Sequence, residues 1–196
     1  PRELLEWLNL YLDTMSSCIM EHHGSIDKYI GDAIMAVFGL PSANEEEIDV
    51  QAEALNAIAA SIAMHEQLQP LNERLQVEGK PLITVGIGIH TGLLVAGTVG
   101  GAQRFNYSVL GDTVNVAARL EAMNKEVTFD RPYNILVSGS TLDFVGDRYL
   151  AQEVGSIQLR GKTDPTHVYT ILGEQPPVEV SPQEEALAAD GQLVQT

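Results

Sequence analysis

RFNYSVLGDTVNVAARLE, residues 104–121, is the stretch on which the rest of the chain is read. It has the pattern of a strand end, a Gly-Asp turn and a short helix. Asp112 stands where an N-cap is expected, since its carboxylate can accept from the free N–H groups of the first turn. Asn115 and Arg119 are four apart and project side by side from one helix face. Val116, Leu120 and Met123 follow the opposite, core-facing stripe. An amide and a guanidinium near a helix N-terminus suit an anion, because orphan N–H groups and the helix dipole add to the arginine charge. The same spacing equally fits an ordinary amphipathic helix with a solvated arginine.

Working outward, 196 residues with an apolar fraction of 44% suit one packed domain with some chain to spare. The longest apolar run, about residues 33–38, falls far short of the roughly 20 residues that span a bilayer. Eleven basic against 27 acidic residues give a net charge of −16, which argues against a nucleic-acid partner. Any polyphosphate ligand must then be held by local basic residues and metal ions. One cysteine, Cys18, has no internal partner and fits a reducing cytoplasmic compartment.

Upstream of the opening stretch, periodic apolar residues predict a helix over Glu3–His22. His22 and His23 at its end are read as surface residues rather than metal ligands. Ser25–Ile30 and Ala33–Phe38, separated by Gly31-Asp32, predict a tight hairpin. A long helix is expected over about Glu45–Gln69, ended or bent by Pro70, with Leu71–Gln76 adding a turn or two. Leu82–Ile89 and Leu93–Val99 have strand patterns. Gly86, Gly88 and Gly92 lack the spacing of a dinucleotide loop and are better explained by close approach of a neighbouring backbone. Gly97, Gly100 and Gly101 suggest a flexible turn leading to Arg104. Downstream, strands are expected at Ile135–Ser138, Tyr149–Gln152, Ser156–Arg160 and His167–Leu172, with a helical turn at Thr141–Val145. From residue 174 the pattern dissolves into an acidic, Pro- and Gln-rich tail, expected to be a disordered linker.

Two further clusters carry charge. In IDKYIGDAIMAVF, residues 26–38, the turn brings Lys28 and Asp32 to one rim of the sheet. Asp32 can present oxygen to a divalent cation, or it can simply be a good turn former after glycine. Lys28, in register with Ile26 and Ile30, is expected to face inward, where a cation needs a partner or a ligand. Arg160 and Lys162 flank Gly161 at a strand end and can clasp phosphate oxygens or form a solvated loop.

DKYIGDAIMAVFG, GIGIHTG, YSVLGDTVNVAARLE and SIQLRGK, in that order, resemble the catalytic domain of class III nucleotidyl cyclases. The likeness is nearest to bacterial, including cyanobacterial, adenylate cyclases. It covers about residues 3–173, with 1–173 taken as the catalytic domain and 174–196 as the tail. The resemblance implies an α/β (α+β) fold, a ferredoxin-like palm-type sheet with flanking helices. It also implies a homodimer with active sites at the subunit interface, converting ATP to 3′,5′-cyclic AMP and pyrophosphate. By motif, Asp32 matches a metal-binding aspartate, one of two that hold a pair of Mg²⁺ or Mn²⁺ ions. Lys28 matches the purine-selecting lysine, and Ser108 falls at its usual partner position. Asn115 matches the ribose-orienting residue and Arg119 the arginine that stabilises charge on the α-phosphoryl group. Arg160 stands where a triphosphate-binding lysine is usual, with Lys162 as a helper.

The family opens with a strand carrying the first metal aspartate, and that strand is missing ahead of Pro1. The expectation is that these residues alone cyclise ATP weakly or not at all, while a version extended upstream is active. Regulatory domains, and any membrane tether, are expected outside this chain. A second reading is a catalytically silent cyclase-homology module that dimerises or binds nucleotide.

Overall fold

The computed structural model describes residues 2–40, 47–101, 104–127, 129–158 and 165–176. Helix α1 (Arg2–Glu21) leads into the hairpin β1 (Ser25–Ile30) and β2 (Ala33–Val37), joined by the expected two-residue turn with Gly31 at φ +67°. Then follow α2 (Val50–Val77), β3 (Ile87–Ile89), β4 (Val95–Gly101), β5 (Arg104–Leu110) and α3 (Asp112–Met123). The chain continues through β6 (Ile135–Ser138), α4 (Gly139–Val145), a short 3-10 turn, β7 (Tyr149–Ile157) and β8 (Thr166–Glu174). The result is a mixed α/β fold with flanking helices, as expected.

The principal sheet has strand order β3-β6-β8-β7, with β3 and β6 parallel and the other pairs antiparallel. Its side chains alternate between faces, and each face meets a different helix layer. Ile135, Val137 and Ile171 pack with Ala54 and Ile58 of α2 and Val145 of α4. Leu136 and Val168 point the other way, onto Val116 and Leu120 of α3. The C-terminal half of α2 belongs to another core, where Met64, Leu68, Leu71 and Leu75 pack on Met15 and Ile19 of α1 with the hairpin's Ile26 and Ile34. The two hairpins, β1-β2 and β4-β5, each form a separate antiparallel pair.

Several expectations need correction. Lys28 does not face inward with Ile26. A β-bulge between Ile26 and Lys28 inserts Asp27 into β1, so Ile26 reaches the core while the Lys28 side chain stays 46% exposed. Pro70 lies inside α2 without ending it. Its lost hydrogen bond costs roughly 3 kcal/mol, offset by burying Leu68, Leu71 and Leu75 around it. The helix begins with Asp49 as N-cap, its carboxylate accepting from the Ala52 N–H at 3.0 Å. The expected first turn at Glu45 and Glu46 lies outside the described residues.

The strand expected over Leu82–Ile89 shortens to Ile87–Ile89, because the side chain of Asn72 takes the Ile83 backbone for itself. Asn72 accepts from the Ile83 N–H and donates to its carbonyl, both at 2.8 Å. Gly97, Gly100 and Gly101 are strand residues of β4, paired with Ser108, Phe105 and Arg104, rather than a turn. Gly155 marks a register shift within β7, so Tyr149–Ile157 is one strand and not two. The tail beyond residue 176 lies outside the described residues.

Candidate active site

Lys28 and Ser108, eighty residues apart in sequence, meet. Lys28 Nζ donates to Ser108 Oγ at 2.8 Å, and Ser108 donates to Asp27 Oδ2 at 3.0 Å. Lys28 also pairs with Asp27 at 3.1 Å. The bulge in β1 aims residues 27 and 28 together at the middle of β5, where Ser108 faces Gly97 across the β4-β5 pair. The Asp27 side chain and Ser108 are each only 5% exposed, whereas the Lys28 side chain is 46% exposed. These three residues line a cleft of about 490 Å³ with Thr98, Phe105, Asn106 and Tyr107. Its size suits a small ligand, and the exposed Phe105 and Tyr107 give its lining an aromatic character.

Four residues beyond Ser108, α3 begins. Its N-cap is Gly111, and Asp112 is the first helical residue, where an acid suits the dipole without capping. Val116 and Leu120 are buried, while Asn115 and Arg119 share the exposed face, as the spacing predicted. Among the described residues Arg119 makes one long hydrogen bond, to the Gln158 carbonyl at 3.4 Å. The helix is clamped at close range: a Cβ on Gly88 of β3 would sit 2.3 Å from both the Ala117 carbonyl oxygen and the Glu121 nitrogen. Its C-terminal end is moored by Asn124, which donates to the Ile87 carbonyl at 3.0 Å. Arg131 donates in turn to the Asn124 carbonyl and side chain, and to Thr170. Burial pulls the Arg131 pKa down, yet its charge faces helix C-terminal carbonyls, where a cation is favoured.

Over residues 1–173 the chain matches the family described as the adenylate and guanylate cyclase catalytic domain. It belongs to that family. Among curated relatives, adenylate cyclase 1 of Rhizobium meliloti is 31% identical over 173 residues, covering 88% of this chain and 24% of that protein. The adenylate cyclase of Anabaena cylindrica is 35% identical over 178 residues, covering 87% and 32%. This cyclase domain thus spans about a quarter to a third of those relatives. Among solved structures, the adenylyl cyclase CyaB from P. aeruginosa superposes with a TM-score of 0.76 at 28% identity, covering 89% of this chain and 85% of that one. The guanylyl cyclase Cya2 gives 0.72 at 31% identity, covering 91% and 85%.

In this cyclase domain Asp32 lies exposed at the tip of the β1-β2 turn. Its charge reaches α1: burial first, then Asp32 and Glu121, push the Tyr11 phenol pKa up. An exposed carboxylate on a tight turn fits a divalent cation as one oxygen ligand, since Mg²⁺ is often bound by one or two carboxylates plus substrate phosphates. Among the described residues no group of three or more His, Cys, Asp or Glu side chains gathers into a metal site. Arg160 and Lys162 lie outside the described residues. No helix among those described is long and apolar enough to cross a membrane.

Sequence reasoning missed Asp27, Asn124 and Arg131. The acid beside Lys28 was visible as a charged doublet within a strand, but alternation assigns neighbours to opposite faces, and only the bulge puts both in one cleft. Arg131 and Asn124 sit in irregular chain after α3, where no periodicity points to them.

Proposed function

We propose that this domain is an adenylate cyclase working as a homodimer. The 3′-oxygen of ATP loses its proton and attacks the α-phosphorus, the bond to the bridging oxygen breaks, and 3′,5′-cyclic AMP and pyrophosphate leave. The observation that carries this reading is the pairing of Lys28 with Ser108 at 2.8 Å on the wall of an aromatic-lined cleft. Lys28 donates to the unprotonated ring nitrogen of adenine and Ser108 accepts from its amino group. Asn115 orients the ribose, and Arg119 meets the charge that grows on the α-phosphoryl oxygens, a preorganised contact of the kind worth roughly 3–4 kcal/mol. Arg160 and Lys162 are assigned to the triphosphate by their place in the family motif.

Asp32 is the residue that would hold a divalent ion, Mg²⁺ or Mn²⁺, and such an ion supplies charge neutralisation at the phosphates. Among the described residues Asp32 belongs to no group of three or more His, Cys, Asp or Glu side chains that could hold a metal. Residues 1–173 form the catalytic unit and 174–196 a linker, in a longer protein whose regulatory parts lie outside this chain. The share of the relatives that it spans supports this reading. A buried, unpaired Cys18 supports a cytoplasmic location.

The likeness to the guanylyl cyclase Cya2 favours one competing reading, cyclisation of GTP. A metal-supplemented assay with ATP and with GTP separates them. Cyclic AMP as the main product supports the proposal; cyclic GMP as the main product replaces it. Nucleotide binding without turnover points to a silent regulatory module instead.

A further inference from the structure

A freely turning hydroxyl can donate or accept, so a serine alone separates an amino group from a carbonyl poorly. Ser108 is not free to turn. It is buried between Lys28 Nζ at 2.8 Å and Asp27 Oδ2 at 3.0 Å. An ammonium only donates and a carboxylate only accepts. The one hydroxyl proton must therefore go to Asp27, one lone pair receives Lys28, and one lone pair is left.

Building on the reading of this cleft as a nucleobase site, we propose that Asp27 is a positioning residue for purine selection. By taking the Ser108 proton, it fixes that oxygen as an acceptor for a base carrying an exocyclic amino group at its six position. Lys28 has three N–H bonds; with one spent on Ser108 and one directed at Asp27, one remains for an acceptor on the ligand. The wall of the cleft thus presents one donor beside one acceptor. Adenine offers the complement, a bare ring nitrogen beside an amino group. Guanine offers a ring N–H beside a carbonyl, which inverts both contacts.

The placement of Asp27 argues for a specific task. In a regular strand, neighbours point to opposite faces, and Asp27 would turn away from Ser108. The bulge spends an unpaired residue to bring it in. A carboxylate 95% removed from solvent carries a desolvation cost that hydrophobic residues at the same place would avoid. Neutralising Lys28 does not require it, since that side chain is 46% exposed.

The test compares kcat/KM for ATP, GTP and purine riboside triphosphate, which lacks the six-position amino group. The proteins, all extended upstream of Pro1, are wild type, Asp27→Asn, Ser108→Ala, Ser108→Thr and the Asp27→Asn/Ser108→Ala double variant. Wild type should favour ATP over purine riboside triphosphate by about tenfold, the worth of one neutral hydrogen bond. In Asp27→Asn the carboxamide can donate to Ser108 and turn its proton outward, so that ratio should fall to about twofold and GTP should gain on ATP. The double variant should lose no more of the ratio than Ser108→Ala, while Ser108→Thr should retain it.

Partial unfolding lowers all three rates together and leaves the ratios untouched. An active Asp27→Asn enzyme with wild-type ratios overturns the role of Asp27 and leaves the cyclase reading standing. Should that variant not fold, a wild-type ratio near one overturns the role by itself. A wild type extended upstream that neither binds nor turns over any of the three nucleotides removes the cleft as a nucleobase site, and both readings with it.

Discussion

Arg119 stands in solvent on α3, with a single long hydrogen bond among the described residues, to the Gln158 carbonyl, so little of the described fold leans on it. Arg119→Ala should leave the melting temperature within about a degree, as surface changes usually do. If the guanidinium meets charge that develops during cyclisation, turnover should drop by about 10²–10³-fold with KM much less affected. Steady-state kinetics with ATP check this; a loss confined to KM would assign Arg119 to ground-state binding. His65 gives a different kind of prediction. Burial lowers its pKa from 6.5, and its ring lies 5.9 Å from that of Tyr133, with Nε2 buried and unbonded. Above pH 6.5 neither the folded nor the unfolded chain carries this proton. Between 6.5 and the lower native value, the unfolded chain takes a proton that the native one refuses, so stability falls on acidification. Melting curves from pH 7.5 to 5 should show a gentler decline in His65→Leu than in wild type.

At the scale of elements, the packing of β3 on α3 sets where Asn115 and Arg119 stand. Gly88→Ala would press a methyl carbon into backbone atoms at 2.3 Å, and backbone cannot step aside as a flexible side chain can. The cost should be at least about 1–3 kcal/mol, the range for overpacking. Thermal melts read this directly, and turnover per folded molecule should fall as well, because α3 must shift. This contact was legible beforehand as glycines in a strand pattern where another backbone comes near. So were α1, the two-residue hairpin turn and the division of α3 into a buried and an exposed face, since each follows from local periodicity or turn chemistry. The rest was decided by partners distant in sequence. Asn72 captures the Ile83 backbone and stops β3 from starting earlier. Buried leucines on both sides carry α2 through Pro70. At the site, Lys28 and Ser108 were legible through the family likeness. Their union with Asp27 was not, because a bulge leaves no mark on a residue pattern read with period two.

At the scale of the whole molecule, the β4-β5 hairpin exposes a large apolar surface. Val95 is 72% exposed, Phe105 67%, Tyr107 62% and Leu110 54%. Val95 and Leu110 share one face of the hairpin and Phe105 and Tyr107 the other. Exposed apolar side chains of this kind mark interaction sites, and a homodimer is the partner the proposed mechanism calls for. Val95→Asp should shift the protein toward monomer in sedimentation experiments and reduce cyclase activity in parallel. Retained activity in a clean monomer would place the whole site within one copy.

The β1-β2 hairpin carries Lys28 on one strand and Asp32 at its tip. In a two-fold dimer of the proposed kind, those two residues serve opposite catalytic centres. Damage at the hairpin tip and damage to α3 are then complementary lesions. Asp32→Ala and Arg119→Ala proteins, each silent by itself, should regain about a quarter of normal turnover when mixed in equal amounts and allowed to exchange subunits. Half of the pairs formed would be hybrids, each with one undamaged centre and one doubly damaged.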